Sequence, residues 1–115
     1  MGLVNSIGTR KTIMIGQDSY YLAFPCKLSG SANAVIKAGQ PLVGDIADRT
    51  TAFTAGTSSA VGMNLHEVKL DADGKGNGTI VVVGCVDKLK LEASIATALA
   101  SANIAGIIIV EGSAI

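Results

Sequence analysis

The segment KLDADGKGNGT, Lys69 to Thr79, holds the residue types that bind calcium, two aspartates one residue apart followed by glycines at alternate positions. An EF-hand loop takes oxygen ligands at its first, third, fifth, seventh and ninth positions and a bidentate Glu at the twelfth. Counted from Asp71, Asp73 fills the third place and Gly76 the sixth, where the sharp turn belongs. Lys75 then puts a cation at the fifth place, and Val82 at the twelfth has no ligand atom. The glycine-aspartate nonapeptide of calcium-binding β-helices does not recur along the chain either. Asp and Gly at a break between apolar runs make turns, because both tolerate positive φ and Asp bonds its own backbone. The segment reads as a hairpin tip, not a metal site.

Other chemistry-bearing residues do not assemble into a site on sequence grounds. His66 is the single histidine and neighbours Glu67 in a strand-like alternation, which sends the two side chains to opposite faces. A catalytic base needs a partner and an orienting group, so a lone His in a strand reads as a packed or interface residue. Cys26 and Cys85 have no ligand-like spacing and no nucleophile signature, and read as small buried hydrophobes rather than as a disulfide. A thiolate pair of either one with His66 stays open. GKGNGT lacks the spacing of a phosphate loop and opens no helix. Asp45 and Asp48 read as solvated charges. No enzymatic activity, cofactor or metal is expected.

The elements around the tip are legible from periodicity. Before it, Val61, Met63, Leu65 and, after a break at His66, Val68 and Leu70 are apolar; after it comes the β-branched run Ile80 to Val83. These predict two strands joined by the tip, the second buried on both faces, with a bulge or close backbone approach at Gly84. Short extended pieces are expected earlier, in SYYLAF, CKLS, AVIK and PLVGDI, and TAGTSS reads as a surface loop. LEASIATALASA predicts a helix: Leu91, Ile95 and Leu99 share a face with Ala98 and Ala102, and Asn103 and Gly106 can end it. IIIV then returns as a buried strand. The fold class is α+β and mostly β, with one main Ala-rich helix near the C-terminus. Residues 1–16 form an arm with one strand-like patch, KTIMI, and residues 17–115 form a single domain.

The 115 residues are 49% hydrophobic yet only 3% aromatic, so the core must be built from Ala, Val, Ile and Leu. Charged residues make up 16%, below the usual quarter, and nine basic side chains cancel nine acidic ones. Nucleic-acid binding needs clustered Lys and Arg, and Arg10-Lys11 is too small a cluster to supply it. The longest apolar run, Ile107 to Val110, is far too short to span a bilayer. MGLVNSIGTRK lacks the charged and apolar regions of a secretory signal. Gly2 and Ser6 match the myristoylation pattern, but that pattern is short and common. A domain this apolar and weakly charged is expected to hide surface in an assembly.

From Gly39 to Val110 the chain resembles the head decoration proteins of tailed bacteriophages, the lambda-type cement proteins and their head-fibre relatives. The resemblance is carried by GQPLVGDI, AVGMNLHEV, the Gly- and Asp-rich turn, GTIVVVGCVDKLKL, the Ala-rich helix and the closing GIIIV. It implies a compact, β-tulip-like mixed fold of small twisted sheets. It also implies a homotrimer, made in the host cytoplasm, that sits on the outer capsid surface of the virion. There it would bridge subunits of the major capsid protein and hold the expanded shell against packaged DNA. The first 35 or so residues carry no pattern that aligns.

On that reading the arm supplies the candidate capsid contact: Lys11, Thr12, Ile13, Met14 and Ile15, a patch able to pair with a capsid edge strand by β-augmentation. The same patch also fits an ordinary first strand of the domain. Two rival functions are a head-fibre base that touches the host surface, and a small ligand-binding or enzymatic domain using His66, Cys26 and Cys85.

Overall fold

In the computed structural model, which describes residues 21–48 and 50–110, the apolar runs become strands connected by short polar turns. In chain order these are β1 (Leu22–Ser29), β2 (Val35–Ile36), β3 (Pro41–Val43), β4 (Thr54–Ala55), β5 (Gly62–Asn64), β6 (Val68–Lys69) and β7 (Lys75–Asp87). A 3-10 turn (Lys88–Lys90), the helix α1 (Ala93–Ala102) and β8 (Ile107–Val110) follow. The fold is α+β and mostly β, with its one α-helix near the C-terminus. The boundary expected between residues 16 and 17 lies outside the described residues.

The main sheet has the order β1-β7-β5-β3-β4, with β8 added parallel to the end of β7; β2 and β6 form a separate two-stranded sheet. The main sheet closes on itself. Phe53, just before β4, bridges Leu28 of β1, its N–H reaching the Lys27 carbonyl at 2.8 Å and its carbonyl accepting the Ser29 N–H at 3.0 Å. The barrel so formed is filled by Cys26, Leu28, Leu42, Phe53 and Ile80, and Ile36 and Leu70 complete this core. The largest fully buried side chain is thus an aromatic one, Phe53, in place of the purely aliphatic core expected from composition. The second core lies on the other side of the β5–β7 ladder, where Met63, Leu65, Val81 and Val86 pack with Leu99 of α1 and with Ile104 and Ile107. Ile80 and Val81 are both fully buried, one in each core, which is the two-faced burial that the β-branched run predicts.

The helix follows its sequence closely. Ile95, Ala96 and Leu99 are buried, and Asn103 ends it in the left-handed conformation at φ 51°. Glu92 precedes the first turn, and its carboxylate lies 2.9 Å from the Lys37 ammonium.

Several expectations are corrected by long-range pairing. The strand before the tip is two short strands, and β6 pairs with β2 rather than with β7, so the tip does not close a simple hairpin. Gly76 and Gly78 lie inside β7, not in the turn; an added Cβ would come within 3.0 Å of Leu70 and 2.7 Å of Leu28. The irregularity expected at Gly84 falls just before it: Leu22 faces Val83 and Ala23 faces Val81, leaving Val82 as the extra residue of a bulge. Beside it runs the close backbone approach, where an added Cβ on Gly106 would stand 2.1 Å from the Val82 carbonyl oxygen. Last, β8 is buried on one face only, since Ile107 is buried while Ile108 is 61% exposed. Residues 22–24 of SYYLAF and the piece CKLS also merge through Pro25 into the single strand β1, which stands at the end of the strand path, where Pro is tolerated.

The Gly106 contact is with backbone, which cannot rotate away as a side chain would. Gly106→Ala is expected to lower the unfolding free energy by about 1–3 kcal/mol, the usual scale of overpacking, read from the urea midpoint.

Candidate functional site

The tip is held by Asp71. Its Oδ1 accepts the N–H groups of Asp73 and Lys75, each at 2.9 Å, and the Gly74 N–H reaches the Asp71 carbonyl at 2.9 Å. Gly74 has φ 74°, and an added Cβ would stand 2.1 Å from the Gly30 carbonyl, so only glycine fits there. The Gly30 N–H donates to the Gly74 carbonyl at 2.9 Å, and the Asn33 N–H to the Asp71 carbonyl at 2.9 Å, which fastens the tip to the loop after β1. The Asp71 carboxylate is thus the organiser of a turn. Among the described residues, no group of three or more His, Cys, Asp and Glu side chains is arranged to hold a metal.

Two shallow, adjoining grooves run over the outer side of β1 and β7, with volumes of about 450 and 580 Å³. They share Lys27, Thr50 and Asn77, with Lys75 and Asp71 at one end and Asp48 at the other. Asp48 accepts the Thr50 hydroxyl at 2.5 Å and its N–H at 3.2 Å, and these bonds hold its carboxyl below the usual range. Asp45 similarly accepts the Ala47 N–H at 2.9 Å, and both aspartates are exposed, as the sequence reading had them. The mixed charges leave the groove without a dominant sign.

The thiol and imidazole candidates do not converge. Cys26 faces Gly78 across the β1–β7 ladder, whereas Cys85 faces Ile108, seven residues further along β7. At about 3.3 Å per residue, this puts the two roughly 20 Å apart, against the 7 Å or so that a disulfide can bridge. Both are free thiols; Cys26 is buried and Cys85 half-buried. Burial pushes the Cys26 thiol up, only partly offset by a hydrogen bond with the Gly78 backbone, so this sulfur resists becoming a thiolate. His66 is exposed in the bend between β5 and β6 and does not alternate with Glu67 as in a strand; Glu67 reaches Lys37 at 3.7 Å. The Lys37 ammonium is pushed up by its hydrogen bond and charge contact with Glu92, and further by Glu67.

Asn64, which the alternation of Met63 and Leu65 would place facing solvent, is fully buried. Its Nδ2 donates to the carbonyls of Ile36 and Lys37, each at 3.1 Å, and to that of His66. Three carbonyls around one atom fix that atom as the amide nitrogen. The Gly39 N–H donates to the Asn64 carbonyl at 2.7 Å, and the Asn64 N–H to that of Gln40 at 2.9 Å. One side chain therefore latches the β2–β6 sheet to the barrel. A lone polar residue between two apolar ones inside a short strand is the signal for it, and only burial on both faces of β5 makes that signal decisive.

On the outer surface, Leu22 and Val83 are Cα partners, Cys85 follows Val83 on the same face, and Ile108 pairs with Cys85. Leu22 and Val83 are each 49% exposed. The four form an apolar stripe drawn from three strands. The candidate capsid contacts Lys11, Thr12, Ile13, Met14 and Ile15 lie outside the described residues, as do Gly2 and Ser6. No model of a known protein family matches the chain, and no curated protein matches it in sequence.

Asp71→Ala is expected to cost about 0.5–2 kcal/mol, the scale of a lost side-chain cap, and Asp73→Ala about 0.5 kcal/mol or less. Wild-type melts with calcium and with chelator should coincide, whereas a melting temperature that climbs with calcium would restore the metal reading. Asn64→Ala is expected to cost about 2–4 kcal/mol, because three carbonyls lose their donor inside the protein. In Asn64→Asp, burial beside those carbonyls raises the folded-state pKa above the unfolded value of about 3.9. Its stability should then be greatest below about pH 4 and fall as pH rises through the raised value. Urea midpoints of this variant at acid and neutral pH, set against wild type, test the sign.

Proposed function

We propose that this chain is a structural virion protein that decorates the outer surface of a tailed-phage capsid and cements the expanded shell. It acts without catalysis, as a homotrimer whose partner is the major capsid protein. The observation that carries the reading is the stripe Leu22–Val83–Cys85–Ile108, an uncharged apolar face left outside two filled cores. The occupant of the stripe is a second copy of the chain: an uncharged face is matched by its like, and covering it removes apolar area from water. The gain is about 25 cal/mol per Å² before the costs of association.

The arm at Lys11–Ile15 supplies the contact to the shell, pairing with a capsid edge strand. Three arms linked in one particle convert a modest single-site affinity into a lasting clamp. The distance between Cys26 and Cys85 counts against a ligand-binding or enzymatic role built on those thiols with His66.

The test begins with the mass of the purified protein in solution and its co-sedimentation with expanded and unexpanded shells. A trimer that binds expanded shells is expected. Ile108→Glu should stay folded, by circular dichroism, and sediment as monomers, with a melting temperature lowered by no more than the lost association accounts for. Deletion of residues 2–16 should leave a folded oligomer, by circular dichroism, that binds shells about ten-fold more weakly or worse. A folded truncation that decorates normally removes the arm from the mechanism, and a wild-type protein that ignores expanded shells removes the decoration reading altogether.

A further inference from the structure

Leu89 is 66% exposed, the most of any large apolar side chain among the described residues, and it stands at the centre of the 3-10 turn Lys88–Lys90. Its exposure is built in. Asp87, itself 4% exposed, accepts the Leu89 N–H at 3.0 Å, and the Leu91 N–H closes the turn on the Lys88 carbonyl at 3.2 Å. Asp87 pairs with Val110 at the end of the β7–β8 ladder, and Leu91 packs against the second core. Both ends of the turn are therefore tied to buried structure while its middle residue is held out into solvent. Lys88 and Lys90 are exposed on either side, and neither forms an ion pair with a described carboxylate.

We propose that the turn Lys88-Leu89-Lys90 is a docking anchor, which inserts Leu89 into an apolar pocket rimmed by carboxylates on a capsid subunit. That the partner is the capsid rests on the decoration reading above; the chemistry of the pocket rests on this turn. An apolar side chain already fixed in its bound backbone geometry loses little conformational freedom on docking. A few such anchors in desolvated pockets carry most of the energy of an interface. The two exposed ammonium groups, without an ion-pair partner among the described residues, select an acidic rim and steer the approach to it, which makes association depend on salt. A lipid surface is the poorer fit, because stable insertion draws on a broad apolar face and this turn offers a single leucine.

The experiment uses the full chain and three variants, Leu89→Ser, Leu89→Met and Lys88→Glu with Lys90→Glu, in co-sedimentation with expanded shells across a range of salt. Melting temperatures should agree with wild type within about 4 °C, as for surface changes. Leu89→Ser and the double charge reversal should each weaken shell binding about ten-fold or more, and Leu89→Met should bind like wild type. Leu89→Ser that binds normally overturns the anchor while leaving the decoration reading in place. A charge reversal that binds normally overturns the acidic rim, and it also serves as the test if Leu89→Ser fails to fold. Wild-type protein that does not bind shells overturns both the anchor and the decoration reading. Binding instead to vesicles containing phosphatidylglycerol, lost in Leu89→Ser, assigns the turn to a lipid surface and overturns the protein partner.

Discussion

Ile80 and Val81 are adjacent in the chain and point to opposite sides of β7, and neither touches water. One fills the barrel and the other the core beneath the helix, so a single strand divides two hydrophobic interiors. The same strand pairs with β1, β5 and β8; the β1 and β8 pairings place the apolar stripe on the surface, and the β5 pairing places the buried Asn64. A strand in this position cannot slip by one residue without turning both cores inside out, which fixes the register of everything attached to it. The bulge at Val82 then changes which face is buried. Beyond it Val86 joins Val81 in the second core while Val83 and Cys85 face outward.

Polar groups complete the structure where apolar packing stops. Asn64 ties the small β2–β6 sheet to the barrel through three carbonyls, and Asp71 turns the chain into β7 with two N–H bonds. Asp87 stops β7 and starts the turn that leads to α1. Each is a short side chain bonded to backbone, so each fixes the path of the main chain and leaves no reactive group poised. Lys37 with Glu67 and Glu92 adds an exposed ion pair network near the start of α1, and exposure keeps its contribution small.

Apolar features remain on the described surface. The apolar stripe and the held-out Leu89 lie on segments anchored to β7, so binding there would require little rearrangement. The decoration reading joins these rigid features to an arm whose contacts would be made through backbone.

Much of the fold was legible in the residues alone. The period of Ile95 and Leu99 marked the helix, the β-branched run marked the central strand, and the Asp and Gly of the tip marked a turn, because periodicity and turn chemistry are local properties of the chain. What stayed hidden depends on partners distant in sequence. Nothing local says that β6 pairs with β2, that Phe53 closes the barrel on Leu28, or that Asn64 is enclosed. Nor could Leu22, Val83 and Ile108, taken from three strands, be seen as one surface, or Ile108 be told from the buried Ile107 beside it. Amino-acid type sets how strongly a residue prefers to leave water; which residues are covered is decided only when the strands meet.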